Sequence, residues 1–343
     1  MHPTGYRSLA LCGTEYARRV LRGEAALLEV PLRTFALELA LALRPHFFAL
    51  SSIAVLAGAS AVAATPSPRI VIAAFIAGLG WGVGQLLNDL LDRQADSVNA
   101  PDRAIAAGRL PAGPTLVFAT LLGIALAVGT ALVHPHAWIL AIAAATLIIF
   151  YNGTKRRLLL GNVALGVLMA LAAAIGACAA LPPRPSGVGS FARELMAAWR
   201  SFLFVGTIGA WYLQSNYEKD RPGDRAAGYF TLAVALSVRA SAAVRGVAII
   251  AIAIAAYAVG SLPDPVSKST MMAGALLGLL STIGPIVRGT DEAALRAYRA
   301  SVPASILAML ALAAPLLGRW GTTVVLVLAL ALVAVAFRRT PNP

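Results

Sequence analysis

Residues 69–92 read RIVIAAFIAGLGWGVGQLLNDLLD, and no side chain between Arg69 and Asp89 carries a charge. As a helix rising about 1.5 Å per residue, such a run is long enough to cross a hydrocarbon core of roughly 30 Å. It ends on Asn88, Asp89 and Asp92. An apolar span therefore delivers acidic side chains to the edge of a membrane, where acids are costly and commonly functional.

Outward from this stretch, the apolar pattern recurs along the chain. Runs at 45–65, 114–133, 137–152, 159–181, 199–216, 241–262 and 269–288 each read as a span. The region 302–338 reads as one broken span or two short ones, because Pro315, Gly318 and Arg319 interrupt it. Composition agrees, with 59% hydrophobic and 13% charged residues among 343 and a mean hydropathy of +0.78; soluble domains carry about 25% charged residues. The expected fold is an all-α polytopic membrane bundle of nine or ten transmembrane helices. Residues 1–44 are expected to form a surface segment, 45–338 the transmembrane domain and 339–343 a tail. Within the first, 14–43 reads as an amphipathic stretch lying on the membrane, with no signal peptide. Cys12 and Cys178 are isolated, with neither disulfide nor metal spacing.

The formal charge of +13 is a matter of topology. Twenty Lys and Arg residues fall on the N-terminal segment and on alternate loops with their adjoining span starts, including Arg93, Arg103, Arg109, Lys155, Arg225 and, at a span start, Arg245, against five on the intervening loops. The positive-inside rule then puts the N-terminus and the basic loops in the cytoplasm. Membrane lipid is the expected partner for this charge, and nucleic acid is not.

Acids are few, and seven of the fifteen lie in two short stretches at cytoplasmic span ends: Asp89, Asp92, Asp96 and Asp102, then Glu218, Asp220 and Asp224. Asn88, Asp92 and Asp96 recur at i, i+4 and i+8, which stacks oxygens on one helix face. Asn216, Asp220 and Asp224 repeat that spacing, although Pro222-Gly223 is expected to break the helix. A single aspartate at a span end is ordinarily a solvated helix terminus. Two matching clusters without His or Cys companions point to a hard, oxygen-seeking ion such as Mg²⁺. The glycines at 78, 80, 82 and 84 fit close helix packing, His134-Pro135-His136 lies on the side away from the acids, and Trp211 with Tyr212 is placed to line a cavity.

These residues carry a resemblance. The string NDLLDRQADSVNAPDRAIAAGRL (88–110) is similar to the first aspartate-rich motif of UbiA-type prenyltransferases, and NYEKDRPGDRAAGYFTLAV (216–234) resembles their second. Between them Tyr151-Asn152-Gly153-Thr154-Lys155 matches the Y-x-x-x-K element, followed by Gly161-Asn162, and Arg44-Pro45 before the first span also fits. The resemblance covers roughly residues 40–290. It implies a nine-helix bundle whose central cavity opens sideways to the lipid, and two Mg²⁺ ions holding a polyprenyl diphosphate. Asn88, Asp92 and Asp96 would serve one ion, Asp220 and Asp224 the other, with Asp89 orienting the site. Lys155 would contact the diphosphate, joined by Arg103 and Arg225, and Tyr151 would sit beside them. Where many relatives carry a further acid before the second motif this chain has Asn216-Tyr217, so Asn216 or Glu218 would stand in. The implied reaction is prenyl transfer to a lipophilic acceptor. A terpene cyclase of the same superfamily, needing no acceptor, is the alternative.

Overall fold

The computed structural model describes residues 31–154, 157–182 and 188–339, nearly all of them helical. Several helix starts are set locally. Ser67, Ser237 and Asp264 sit in extended backbone and accept the N–H groups of Ile70, Ala240 and Ser267, satisfying donors that a helix leaves open at its N-terminus. Pro68 and Pro265 follow in the first turn, where a missing N–H costs no hydrogen bond.

In chain order the elements are α1 (Leu32–Ala42), a 3₁₀ turn (Pro45–Phe47), α2 (Phe48–Ser60), α3 (Pro68–Leu91), α4 (Arg93–Asn99), α5 (Ala112–Val133), α6 (Ala137–Thr154) and β1 (Arg157–Leu158). They continue with α7 (Leu160–Ala180), α8 (Val188–Met196), α9 (Trp199–Tyr212), α10 (Gln214–Ala226), β2 (Phe230–Thr231) and α11 (Leu232–Ala235). Then come α12 (Val238–Ala258), α13 (Pro265–Arg288) and α14 (Asp291–Arg339). β1 and β2 pair in parallel with Arg157 opposite Phe230, tying two loops on one side of the bundle. Among the described residues, α3, α5, α7, α12, α13 and α14 are long and apolar enough to cross a membrane, and α2 and α6 are shorter apolar helices. Leu121, Leu132, Val247 and Val287 point outward, as side chains facing lipid do. The chain is an all-helical integral membrane protein.

At the centre, α2 packs against α7 and the first half of α14, burying Leu50, Ile53, Ala173, Ala308 and Leu310. The α2–α7 contact is backbone on backbone. A Cβ on Gly58 would lie 1.8 Å from the Ala173 carbonyl oxygen, and one on Gly176 would lie 1.9 Å from that of Val55. Only hydrogen at both positions allows such an approach.

Three expectations gain detail. The region 302–338 forms two helical segments, and the break falls at Gly318, with Pro315 inside the helix. Gly318 has φ 64° and ψ 178°, a conformation open essentially to glycine alone. The chain reverses there. The rings of Tyr298 and Phe337 meet at 6.0 Å, whereas an unbroken helix would hold them about 58 Å apart. Second, the stretch 182–190 is not all loop, since α8 starts at Val188; residues 183–187 lie outside the described residues. Third, of the amphipathic segment 14–43, residues 14–30 lie outside the described residues. The remainder forms α1, whose Phe35, Leu39 and Ala42 pack on Leu86, Leu90, Ile105 and Leu110. Leu32, Leu37 and Leu41 of the same helix are exposed.

Candidate active site

The first acidic stretch leaves α3 with its ladder intact. The Asp92 N–H donates to the Asn88 carbonyl at 2.8 Å and the Asp96 N–H to that of Asp92 at 2.8 Å, although Asp92 itself (φ −96°, ψ 11°) bends the path into α4. Asn88 and Asp92 face a cavity; Asp96, one bend further, is buried behind its wall. One Asp96 carboxylate oxygen is ion-paired with Arg103, and the other is buried with no partner among the described residues.

The second stretch does not break as expected. α10 runs through Pro222 without interruption, and Asn99 braces the segment around it. Its Oδ1 accepts the Gly223 N–H at 2.8 Å and its Nδ2 donates to the Asp220 carbonyl at 2.9 Å. Gly223 makes that approach possible, since a Cβ there would lie 2.4 Å from the Asn99 amide. Asn99 thus staples the two acidic stretches together. Asn216, Asp220 and Asp224 stay on one face and line the same cavity as Asn88 and Asp92.

That cavity has a volume of about 730 Å³, within the range of roughly 300–1,000 Å³ typical of ligand pockets. Its polar end also carries Arg44, Arg103, Tyr151, Tyr217, Tyr229 and Thr231, and its walls are apolar, with Ile76, Trp81, Ile124, Ile148 and Leu165. Buried Asp89 stays out of the wall and holds two guanidinium groups toward it. Arg44 donates to its Oδ1 at 2.6 Å, and Arg103 lies 3.7 Å from the same oxygen. Lys219 pairs with Asp220 at 2.9 Å and sits 4.9 Å from the centre of the Tyr298 ring. Burial pushes the Asp96 carboxyl up to about 6, opposed by Arg103. Burial also works to raise Asp220, but Lys219 and Arg103 outweigh it and hold that carboxyl below its ordinary value. Lys219 is pushed down, chiefly by burial.

Comparison with known proteins now has a fold and a site to be set against. A profile of the UbiA prenyltransferase family matches residues 47–300. The chain belongs to the UbiA prenyltransferase family. It is 30% identical over 285 residues to the digeranylgeranylglyceryl phosphate synthase of Methanopyrus kandleri, covering 80% of this chain and 97% of that one. To the digeranylgeranylglyceryl phosphate synthase of Methanoculleus marisnigri it is 29% identical over 221 residues, covering 64% and 74%. The apo structure of a UbiA homologue from Aeropyrum pernix K1 has the same fold, with TM-score 0.63 at 18% identity over 79% of this chain and 96% of that one.

Seen as a UbiA protein, the chain gathers Asn88, Asp92, Arg103, Tyr151, Asn216, Asp220 and Asp224 around one cavity. Tyr151 accepts a hydrogen bond from Tyr217 at 3.1 Å. Arg225 is exposed and not on the cavity wall, and Lys155 lies outside the described residues. Of the two stand-ins for the missing acid, Asn216 faces the cavity while Glu218 turns away to pair with Arg245. Arg245, in the first half of α12, is accordingly a fully buried side chain. Neither Trp211 nor Tyr212 lines the cavity; Tyr212 packs in the core.

The donor set suits Mg²⁺. Among the described residues no three His, Cys, Asp or Glu side chains converge tightly enough to hold an ion unaided. Mg²⁺ needs only one or two carboxylates and completes its shell with water and phosphate oxygens. The partnerless Asp96 oxygen and the cavity-facing Asn88, Asp92, Asp220 and Asp224 fit that requirement.

Sequence reasoning missed Lys219, Asn99 and the working role of Arg44. Arg44 carried a signal. It precedes a proline and adopts φ 52°, a left-handed conformation that costs a non-glycine residue roughly 1–2 kcal/mol.

Proposed function

We propose that this UbiA protein catalyses Mg²⁺-dependent transfer of a prenyl group from a polyprenyl diphosphate to a lipophilic acceptor, releasing pyrophosphate. One observation carries the reading: both acidic stretches and two arginines ring the polar end of a single apolar cavity. A diphosphate leaves an allylic carbon only when its developing negative charge is stabilised, and bound Mg²⁺ supplies that as a Lewis acid. Asn88, Asp92 and Asp96 would hold one ion, and Asp220 and Asp224, with Asn216 beside them, the other. Arg44 and Arg103 would receive the diphosphate oxygens, and Lys155 keeps its assignment to the diphosphate on the sequence alone. Tyr151 and Tyr217 would bound the reacting carbon, while the apolar wall would hold the prenyl tail and exclude water. The cavity would take its substrates sideways from the lipid.

The names of the two relatives make a glyceryl phosphate lipid the first acceptor to supply. The bundle would cross the membrane ten times, counting the reversal at Gly318 as two passes, with the N-terminus and both acidic motifs cytoplasmic.

The test is pyrophosphate release by the purified protein in lipid nanodiscs with Mg²⁺ and geranylgeranyl diphosphate, with and without acceptor. Release that needs the acceptor and is lost in Asp92→Ala and Asp224→Ala is the expected result. A cyclic hydrocarbon formed without acceptor would replace transfer by cyclisation. Absence of Mg²⁺-dependent diphosphate binding would end the catalytic reading.

A further inference from the structure

Behind the acidic face of α10 runs a second polar system that the reaction does not use. Asn162 on α7 donates to the Gln214 side-chain oxygen at 2.7 Å; Gln214 donates to Ser241 at 3.1 Å, and Ser241 donates to Glu218 at 3.0 Å. Arg245 closes on Glu218 at 3.1 Å and donates onward to Ser281 at 2.7 Å and Ser301 at 3.1 Å. Every member is buried, and Arg245 is wholly so. A buried ion pair is poor value as pure stabilisation, because apolar residues of similar volume commonly serve as well. Its distinctive property is direction.

The direction bears on α10. Gln214, Glu218 and Arg221 recur at i, i+4 and i+7 on one side of that helix, and Asn216, Asp220 and Asp224 occupy a face rotated about 130° from it. Gln214 and Glu218 bond α10 to α7 and α12, Arg221 reaches the Leu236 carbonyl, and Arg245 of α12 carries the network on to α13 and α14. Contacts to so many partners fix both the rotation of α10 about its axis and its height.

We propose that the Glu218–Arg245 pair is a positioning device for the second metal site: it locks the rotation of α10 so that Asp220 and Asp224 meet the ion at the required angle. This rests on the function proposed above. Neither residue touches substrate or ion.

The experiment measures binding of Mg²⁺ with inorganic pyrophosphate by calorimetry, thermal stability, and the Mg²⁺ midpoint of pyrophosphate release, all on the full chain in nanodiscs. The double variant Glu218→Leu with Arg245→Met removes the pair without stranding a buried charge, and Glu218→Asp keeps the charges but shortens the reach. The expected result is a protein as stable as the parent whose Mg²⁺ midpoint rises on the order of ten-fold, with kcat largely regained at saturating Mg²⁺. Glu218→Gln with Arg245→Gln, which keeps directed hydrogen bonds without charge, is expected to restore most of the loss. A folded double variant with the parent's midpoint overturns the proposal. Should that variant fail to fold, an unchanged midpoint in Glu218→Asp overturns it equally. Asp220→Ala separates the two readings: if it binds Mg²⁺ and pyrophosphate as the parent does, the site assignment falls and takes the proposal with it.

Discussion

Asn99 shows how much one uncharged side chain can organise. Its amide binds a backbone donor and a backbone acceptor on either side of Pro222. Asn99→Ala leaves the buried Gly223 N–H and the Asp220 carbonyl without that partner, an expected loss of about 1–3 kcal/mol. Gly223→Ala should act in the same direction, because the new methyl can be accommodated only if Asn99 abandons its bonds. Thermal denaturation in detergent checks both, with Gly80→Ala as the comparison; a Cβ at Gly80 meets nothing. The aspartates of the site were legible from their spacing alone. Asn99 was not, because a lone asparagine at the end of a short helix has no period, and its partners lie over a hundred positions away. Arg44 showed only as a residue before a proline, and Lys219 only as a charge next to Asp220. In a basic chain each reads as one more topology charge, and only three-dimensional packing sets Arg44 beside Asp89 and Lys219 over the ring of Tyr298.

At the scale of elements, helix contacts are decided by hydrogen atoms in place of side chains. Gly58→Ala or Gly176→Ala drives a methyl into facing backbone, and neither α2 nor α7 can recede without opening the core. The expected cost is about 3 kcal/mol or more, seen as loss of folded protein in size-exclusion chromatography. Gly84→Ala should leave folding intact, since it faces the cavity, and should weaken binding of the longer prenyl diphosphates. The sequence displayed four alternating glycines in α3 but offered no sign that Gly78 and Gly82 face neighbouring side chains while Gly80 and Gly84 face open space. Helix caps were more readable, and one makes a pH prediction. Hydrogen bonds from Ser267 overcome the opposing effect of burial and hold the Asp264 carboxyl below its ordinary value. Its stabilising contribution is therefore complete above the unfolded pKa of about 3.9 and is lost as pH falls through the lower folded value. Asp264→Ala is expected to cost about 1 kcal/mol at pH 7, and the gap between parent and variant should close toward pH 3 in a thermal-stability series.

For the whole molecule, the reversal at Gly318 makes a statement about topology. The segments 291–317 and 319–339 run antiparallel, so Arg319 and Arg338 belong at opposite ends of the bundle. In a chain freed of Cys12 and Cys178, Arg319→Cys and Arg338→Cys should react with an impermeant thiol reagent from opposite faces of sealed vesicles. Labelling from one face would reduce the last two passes to one. Hydropathy gave the spans that lie between loops, but it left this turn open because proline, glycine and arginine in sequence mark a break without saying which way the chain departs. A longer-range consequence belongs to the staple between Asn99 and Gly223, which are 124 positions apart. Closing a flexible loop of that length costs about 4 kcal/mol of chain entropy, equivalent to roughly a thousand-fold in a dissociation constant. Here the closure comes from helix packing and the Asn99 amide. On the function proposed above, the ions are relieved of that cost, and a chelator is expected to remove them while the melting temperature of the protein stays unchanged.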